Sequence, residues 1–143
     1  MTLEDYRRLV GLRYEQFVAD YRIADNQIHN DVRYEKIADV TRVDLGANQF
    51  FFFKDGMLKL IYISNDVFAQ RLWNEFKEKV NEDSPDDRLR SRAGKKSNQL
   101  VFAGEGFAAS IHGDDVDFVE LYAPCTLETY LSEVYREPGR FIR

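Results

Sequence analysis

The residue types that could do acid–base or metal chemistry lie closest together in the segment His112-Gly113-Asp114-Asp115-Val116-Asp117. Imidazole and carboxylate groups bind metals and move protons, so such a segment could hold an ion or activate a water molecule. Gly113 and Asp114 are also typical of a tight turn. Asp115 and Asp117 then fall on one side of the strand that follows. Turn chemistry explains the segment, and we expect neither a metal nor a cofactor.

Cys125 is the single cysteine, and it precedes a predicted helix whose N-terminus could activate a thiol. A nucleophilic thiol also needs a neighbouring base, and no sequence pattern places His29 or His112 beside it. Nucleophile-elbow, zinc-protease, dinucleotide-binding and calcium-loop motifs are absent from the sequence. We therefore expect a protein that is not an enzyme, and a small hydrolase built around His112 is the third of three alternatives.

A long polar segment over residues 81–98 carries acids in its first half and bases in its second half. The bases are Arg88, Arg90, Arg92, Lys95 and Lys96. Arginines two residues apart lie on one side of an extended chain, where their guanidiniums could bind carboxylates or phosphates. Loops of this length without secondary structure are usually functional or mobile. The segment is therefore either a binding loop or a solvated loop whose charges neutralise one another.

Four consecutive phenylalanines, Phe50 to Phe53, predict an unusual strand. Successive side chains of a strand point to opposite faces, so Phe51 and Phe53 share one face and the other two rings share the second. A sheet with one face in water alternates apolar and polar residues, and this strand does not. Both faces must therefore be covered, by the chain's own helices or by a partner. We expect Phe51 and Phe53 to belong to a face that docks a partner.

Length and composition restrict the class of protein. The chain has 143 residues, of which 44% are hydrophobic and 14% aromatic, a content that supports a folded core and excludes intrinsic disorder. One cysteine excludes a disulfide framework. The sequence shows no apolar run of about 18 residues and no signal-peptide core. We expect a single soluble, cytoplasmic domain over residues 1–143.

Charge bears on the partner rather than on the fold. The formal net charge is −5 at pH 7. Nucleic-acid binding usually requires a basic surface, so this balance makes nucleic acid an improbable ligand and suits a neutral or basic protein.

Apolar residues that recur at three- and four-residue steps predict three main helices. These stretches cover residues 3–21, 68–80 and 127–134. Residues that cap helices precede them: Thr2, Ser64 or Asn65, and Thr126. Gly11 predicts a break of the first stretch into two short helices. Residues 22–40 carry turn signals together with a weak helical spacing, which leaves them open between a loop and a short helix.

Turn residues between apolar runs predict two antiparallel meanders. Asp55-Gly56 joins the phenylalanine strand to a strand over 57–63, and Gly104-Glu105-Gly106 joins a second hairpin. The predicted fold class is α+β, with one antiparallel sheet of about five or six strands packed against about three helices. A shift of 50 positions overlays the two hairpins, which either marks a duplicated helix-plus-meander unit or is what any two hairpins look like.

This outline is similar at fold level to the small α+β modules of outer-membrane assembly lipoproteins and of β-lactamase inhibitor proteins. Gly11-Leu12-Arg13-Tyr14-Glu15-Gln16-Phe17 resembles their glycine-started helix. The resemblance covers this segment, implies a binding module and carries over no residue role.

The features together predict a non-catalytic protein–protein interaction module, such as an adaptor, an inhibitor, an immunity-type protein or a regulatory protein. Its aromatic sheet face would dock another protein or a second copy, and the arginines would fix the register. No membrane is expected as a partner. The alternative is an anion- or nucleic-acid-binding module that uses Arg88 to Lys96. Phe141 and Ile142 could add a short apolar anchor.

Overall fold

The computed structural model describes residues 1–139, so Phe141 and Ile142 lie outside the described residues. The helices are α1 (Leu3–Leu9), α2 (Tyr14–Asp20), α3 (Asp66–Lys77) and α4 (Leu127–Glu133). The strands are β1 (Ile28–Tyr34), β2 (Ile37–Gly46), β3 (Gln49–Lys54), β4 (Met57–Ile63), β5 (Asp87–Arg90), β6 (Asn98–Phe102), β7 (Phe107–His112) and β8 (Asp115–Tyr122). Short 3₁₀ turns cover Asp25–Gln27 and Ala103–Glu105.

The predicted helix starts are confirmed by their caps. Thr2 and Asp5 form a capping box, in which each side chain accepts from the backbone N–H of the other residue. The Asn65 side chain accepts from the backbone N–H groups of Val67 and Phe68 at the start of α3. Gly11 has φ +92°, a conformation that favours glycine, and it separates α1 from α2 as predicted.

The eight strands form one antiparallel sheet in the order β1-β2-β3-β4-β8-β7-β6-β5. The α+β class is confirmed, although the sheet has more strands than expected and a fourth helix is present among residues 1–139. Two four-strand meanders, β1–β4 and β5–β8, meet where β4 pairs with β8. Helices α1 and α2 precede the first meander and α3 precedes the second, so the order of elements repeats.

The 50-position overlay is displaced by one strand from this repeat. It sets β3 on β6 and β4 on β7, whereas the order of the sheet makes β3 equivalent to β7 and β4 to β8. The aromatic residues of α2 and α3 lie 59 positions apart, as Phe17 and Phe76 show, and that spacing agrees with the topology.

Two segments for which the sequence predicts no strand contain strand residues in the structure. Residues 22–40 hold β1 and the start of β2, and residues 81–98 hold β5. The pairing of β1 with β2 is interrupted by two register shifts, and Asp31 and Asp39 have positive φ values. Such bulges break the two-residue alternation by which a strand is recognised from sequence.

The first face of the sheet packs against α1, α2 and α3. The Phe17 ring of α2 lies 5.0 Å from the Phe51 ring and 5.2 Å from the Phe53 ring. On the other meander, the Phe76 ring of α3 stacks on the Phe107 ring at 4.0 Å. Phe51 and Phe53 are buried, so the chain's own helix covers both.

The second face is covered in part by α4 and by the β1–β2 hairpin. Tyr130 of α4 and Tyr34 of the hairpin are buried there, together with Phe52 of the phenylalanine strand. Phe50 and Tyr62, on the same face, are only half-buried. The first face is thus covered as predicted, whereas the second face is covered only in part.

The longest of the described helices is α3, with 12 residues. None of the helices within residues 1–139 could therefore cross a lipid bilayer.

Candidate docking surface

A row of four aromatic rings, which we call the aromatic ladder, crosses the second face; two of the rings are half-buried and two are buried. Its members are Phe50 on β3, Tyr62 on β4, Phe118 on β8 and Tyr34 at the end of β1. The Tyr62 ring lies 6.0 Å from Phe50, 5.2 Å from Phe118 and 5.6 Å from Tyr34. These side chains meet because Phe50 and Tyr62 are cross-strand partners, and the pairing of β4 with β8 extends the row.

Two arginines lie on the ladder. The Arg42 guanidinium lies 5.3 Å from the centre of the Phe50 ring, and its Nε donates to Asp44 at 2.9 Å. The Arg92 guanidinium lies 4.4 Å from the centre of the Phe118 ring and within about 5 Å of two further rings. The ladder therefore combines apolar rings with cations that are already desolvated on one side.

Arg92 is held by polar groups as well as by rings. Its Nη1 lies 3.0 Å from a Glu35 carboxylate oxygen, and its Nη2 donates to the Tyr34 hydroxyl at 2.9 Å. Burial opposes the charge on Arg92, but the neighbouring Tyr34 and Glu120 outweigh burial and raise the pKa of the guanidinium. Arg92 is therefore a permanently charged group of this surface.

Glu120 lies beneath the ladder and is completely buried. The hydroxyls of Tyr34 and Tyr130 donate to its carboxylate, as does Gln99 Nε2 at 3.4 Å. Burial raises the pKa of Glu120, and Arg92 and the two phenols offset this only in part. These hydrogen bonds tie β1, β6 and α4 to β8, which makes Glu120 a structural centre of the second face.

The predicted basic residues do not form one anion site. Arg92 lies on the aromatic ladder, whereas Arg90 pairs with Glu137 at 2.8 Å beside the carbonyls of Pro138 and Gly139. Lys95 and Lys96 are exposed in the turn before β6, and Arg88 is exposed on β5. The structure thus distributes the five bases over different surroundings.

Phe51 and Phe53 lie in the first core under α2 rather than on the open part of the sheet. On the opposite side of the strand Phe52 is buried as well, and Phe50 is the ring of the phenylalanine run that stays half-buried. Sequence periodicity cannot distinguish the faces, because it does not say that α1, α2 and α3 pack on the same side of the sheet.

The predicted catalytic alternatives are dispersed. His112 and Asp115 are exposed at the β7–β8 turn, and Cys125 is half-buried just before α4. Burial raises the pKa of the Cys125 thiol, which is opposite to what a nucleophile needs. Within residues 1–139, no three His, Cys, Asp or Glu side chains gather as metal ligands would.

Sequence patterns did not indicate Tyr34, Glu35, Tyr62, Phe118 and Glu120 as members of a site. One signal was present for Glu120, because it falls between Phe118 and Tyr122 on the same side of an apolar strand. A lone acid in such a position needs buried donors, and tyrosines supply them. No local pattern indicates that Tyr34, 86 positions away, is one of those donors.

No protein-family model, curated protein or solved structure matches the chain. The resemblance of residues 11–17 to the inhibitor and lipoprotein modules therefore gains no further support. In the structure Gly11 lies in the turn before α2, and the helix itself begins at Tyr14.

Proposed function

We propose that this chain is a non-catalytic protein-binding module that docks another protein on the aromatic ladder. One observation carries the proposal. Phe50 and Tyr62 stay half-buried, beside two arginines, on a face that is otherwise covered by α4 and the β1–β2 hairpin. Tyrosine, phenylalanine and arginine are enriched at interfaces, and tyrosine and arginine among the residues that supply most of the binding energy.

Charge favours a basic protein as the partner. The net charge of −5 attracts a basic surface during diffusional encounter, and it repels a second copy of the same chain. Glu35 and Asp44 lie next to the ladder, each in an ion pair with an arginine of the chain. A second copy of the chain is the other occupant to be tested. The unpaired Cys125 suits a reducing compartment, so cytoplasmic residence is part of this proposal.

Site-specific photocrosslinking tests the proposal. A photoreactive phenylalanine analogue at Phe50 is compared with the same analogue at Val67, which is 72% exposed on α3. In cells that produce the protein, we expect a discrete adduct from position 50 and none from position 67. An adduct of twice the chain mass identifies a second copy. Equal labelling from both positions, or no adduct from position 50, rejects the ladder as a docking surface.

The anion-binding alternative is tested with the purified protein and a labelled oligonucleotide. Binding that weakens steeply as salt is raised would overturn the protein-binding proposal. Replacing Lys95 and Lys96 by alanine should then weaken oligonucleotide binding, whereas these changes should leave the adduct from position 50 unchanged.

A further inference from the structure

Three rings and a carboxylate surround a single guanidinium on the second face. The centres of the Tyr34, Tyr62 and Phe118 rings lie 5.0, 5.1 and 4.4 Å from the central carbon of Arg92. Glu35 closes the remaining side at 3.0 Å. We call Tyr34, Glu35, Tyr62 and Phe118 the cation cage. Proteins recognise cationic ligands with aromatic side chains that surround the cation.

Arg92 is the cation that fills the cage, and its guanidinium group makes the contacts with the cage. Ser91, the residue before it, is buried and hydrogen-bonds Ser110 at 2.6 Å, so the backbone is anchored independently of the guanidinium. The Arg92 side chain is 31% exposed, and that of Glu35 is 18% exposed. Displacement of Arg92 from the cage would therefore require rotation about its own side-chain bonds, with β5 and β6 left in place.

The cage without Arg92 would be selective for cations. Glu35 lies at its rim and Glu120 lies beneath Tyr34, and the Arg92 guanidinium is the cation that faces both of them. The Tyr34 hydroxyl and the Glu35 carboxylate already point at the two terminal nitrogens of a guanidinium. A guanidinium from outside would find the same rings and the same acceptors, which an ammonium group matches less well.

We propose that the cation cage is a guanidinium-binding site, which Arg92 fills in the free protein and which an arginine of the docked partner enters when Arg92 turns out. This inference rests on the proposed function, because Tyr62 belongs to both the ladder and the cage, and it adds the partner's chemistry. The partner presents an arginine on an exposed segment, and Arg92 competes with that arginine for the cage.

Arg92→Ala with ethylguanidinium as the probe tests the cage directly. We expect saturable binding at millimolar concentration by NMR, a raised melting temperature, and affinity at least about tenfold above that of the wild-type protein, whose cage is occupied. The neutral isostere N-ethylurea should not bind, and adding Glu35→Gln should remove the binding. Arg88→Ala is the matched control, since it deletes an exposed arginine of β5. A response of Arg92→Ala no larger than that control overturns the inference.

A second measurement uses the wild-type protein, so the test does not depend on the folding of a variant. The Nε–H resonance of Arg92 is followed while acetyl-Gly-Arg-Gly-amide is added. We expect it to move toward the position of free arginine, with no movement for the peptide that carries glutamine instead. An unmoved resonance at saturating peptide contradicts displacement. If the Phe50 adduct persists while both cage tests fail, only this inference falls; if the adduct is also absent, the docking function falls with it.

Discussion

At the scale of single residues, Glu120 shows how the second face tolerates a charge. It is the only carboxylate within residues 1–139 that is fully buried, and it lies on the central strand β8. Two tyrosine hydroxyls and an amide satisfy its oxygens, which keeps the acid from being a net defect. Burial nevertheless raises the pKa of Glu120, so the free energy of unfolding should depend on the ionisation of this side chain.

Glu120→Gln should change how stability depends on pH. The pKa of Glu120 in the folded protein lies above its usual value of 4.5. As the pH rises past that value, the unfolded chain releases the proton first, so the wild-type protein loses stability until the folded pKa is passed. Glutamine does not titrate, so its unfolding free energy lacks this loss. Relative to the wild type, the unfolding free energy of the variant should rise across this pH range by about 1.4 kcal/mol for each pH unit between the unfolded and the folded pKa. Urea unfolding between pH 4 and pH 8 measures this gain, and a difference that is flat with pH contradicts it.

Gly106→Ala should destabilise the turn that joins β6 to β7. Gly106 has φ +63°, and a Cβ there would lie 2.1 Å from the Tyr122 carbonyl oxygen, which the backbone cannot accommodate without moving. We expect a loss of at least about 2 kcal/mol in the free energy of unfolding. Gly104→Ala is the control, because its Cβ would meet nothing within 4 Å. Equal stabilities of the two variants in urea would contradict a clash between a Cβ at position 106 and the Tyr122 carbonyl oxygen.

Features with a local cause are predictable from the sequence. The uninterrupted phenylalanines predict that both faces of the strand are apolar, because alternation within a strand is a local property, and Phe51, Phe52 and Phe53 are buried. The cation cage around Arg92 is not predictable in this way, since its rings Tyr34, Tyr62 and Phe118 come from separate parts of the chain. Their proximity depends on the order of the strands, which no local spacing records.

At the scale of elements, the helix boundaries were more predictable than the strands. Thr2, Asn65 and Thr126 cap their helices as expected, since capping depends on residues within one turn. Strands β1 and β5 were not predicted, because the first is bulged and the second has only four residues between charged segments. The side of the sheet that each helix covers is a tertiary property that periodicity does not report.

Thr126→Ala should weaken α4, the helix that covers part of the second face. The Thr126 hydroxyl accepts from the backbone N–H of Thr129 at 3.1 Å, and its loss leaves that donor without its cap. We expect a loss of about 1 kcal/mol in the free energy of unfolding, measured with urea. Ser132→Ala, at an exposed position within α4, is the control and should cost less. If Thr126→Ala is as stable as the control, α4 contributes little to the free energy of unfolding.

At the scale of the whole molecule, the buried tyrosine hydroxyls of the second face should make the stability of the protein depend on pH in the alkaline range. Burial raises the pKa of Tyr34, Tyr122 and Tyr130 above the usual value of 10, and it raises that of Tyr135 to about 12. Above pH 10 the unfolded chain therefore loses protons that the folded chain retains. Stability that is fully present below pH 10 is lost as the pH rises further.

Alkaline titration should accordingly show phenol ionisation and unfolding together. Absorbance at 295 nm, which follows tyrosinate, and far-ultraviolet circular dichroism should change in the same steep step above pH 10. In 6 M guanidinium chloride the phenols should instead titrate near pH 10 with no second transition. Complete ionisation in the native buffer near pH 10 with an unchanged circular dichroism spectrum would contradict the burial of these side chains.

The cation cage lies at the junction of β4 and β8, where the two meanders meet. Tyr62 belongs to the first meander and Phe118 to the second, and within residues 1–139 the β4–β8 pair is the one line of strand pairing between the two meanders. An arginine in the cage contacts a ring from each meander at once. Filling the cage therefore adds contacts across the seam of the sheet.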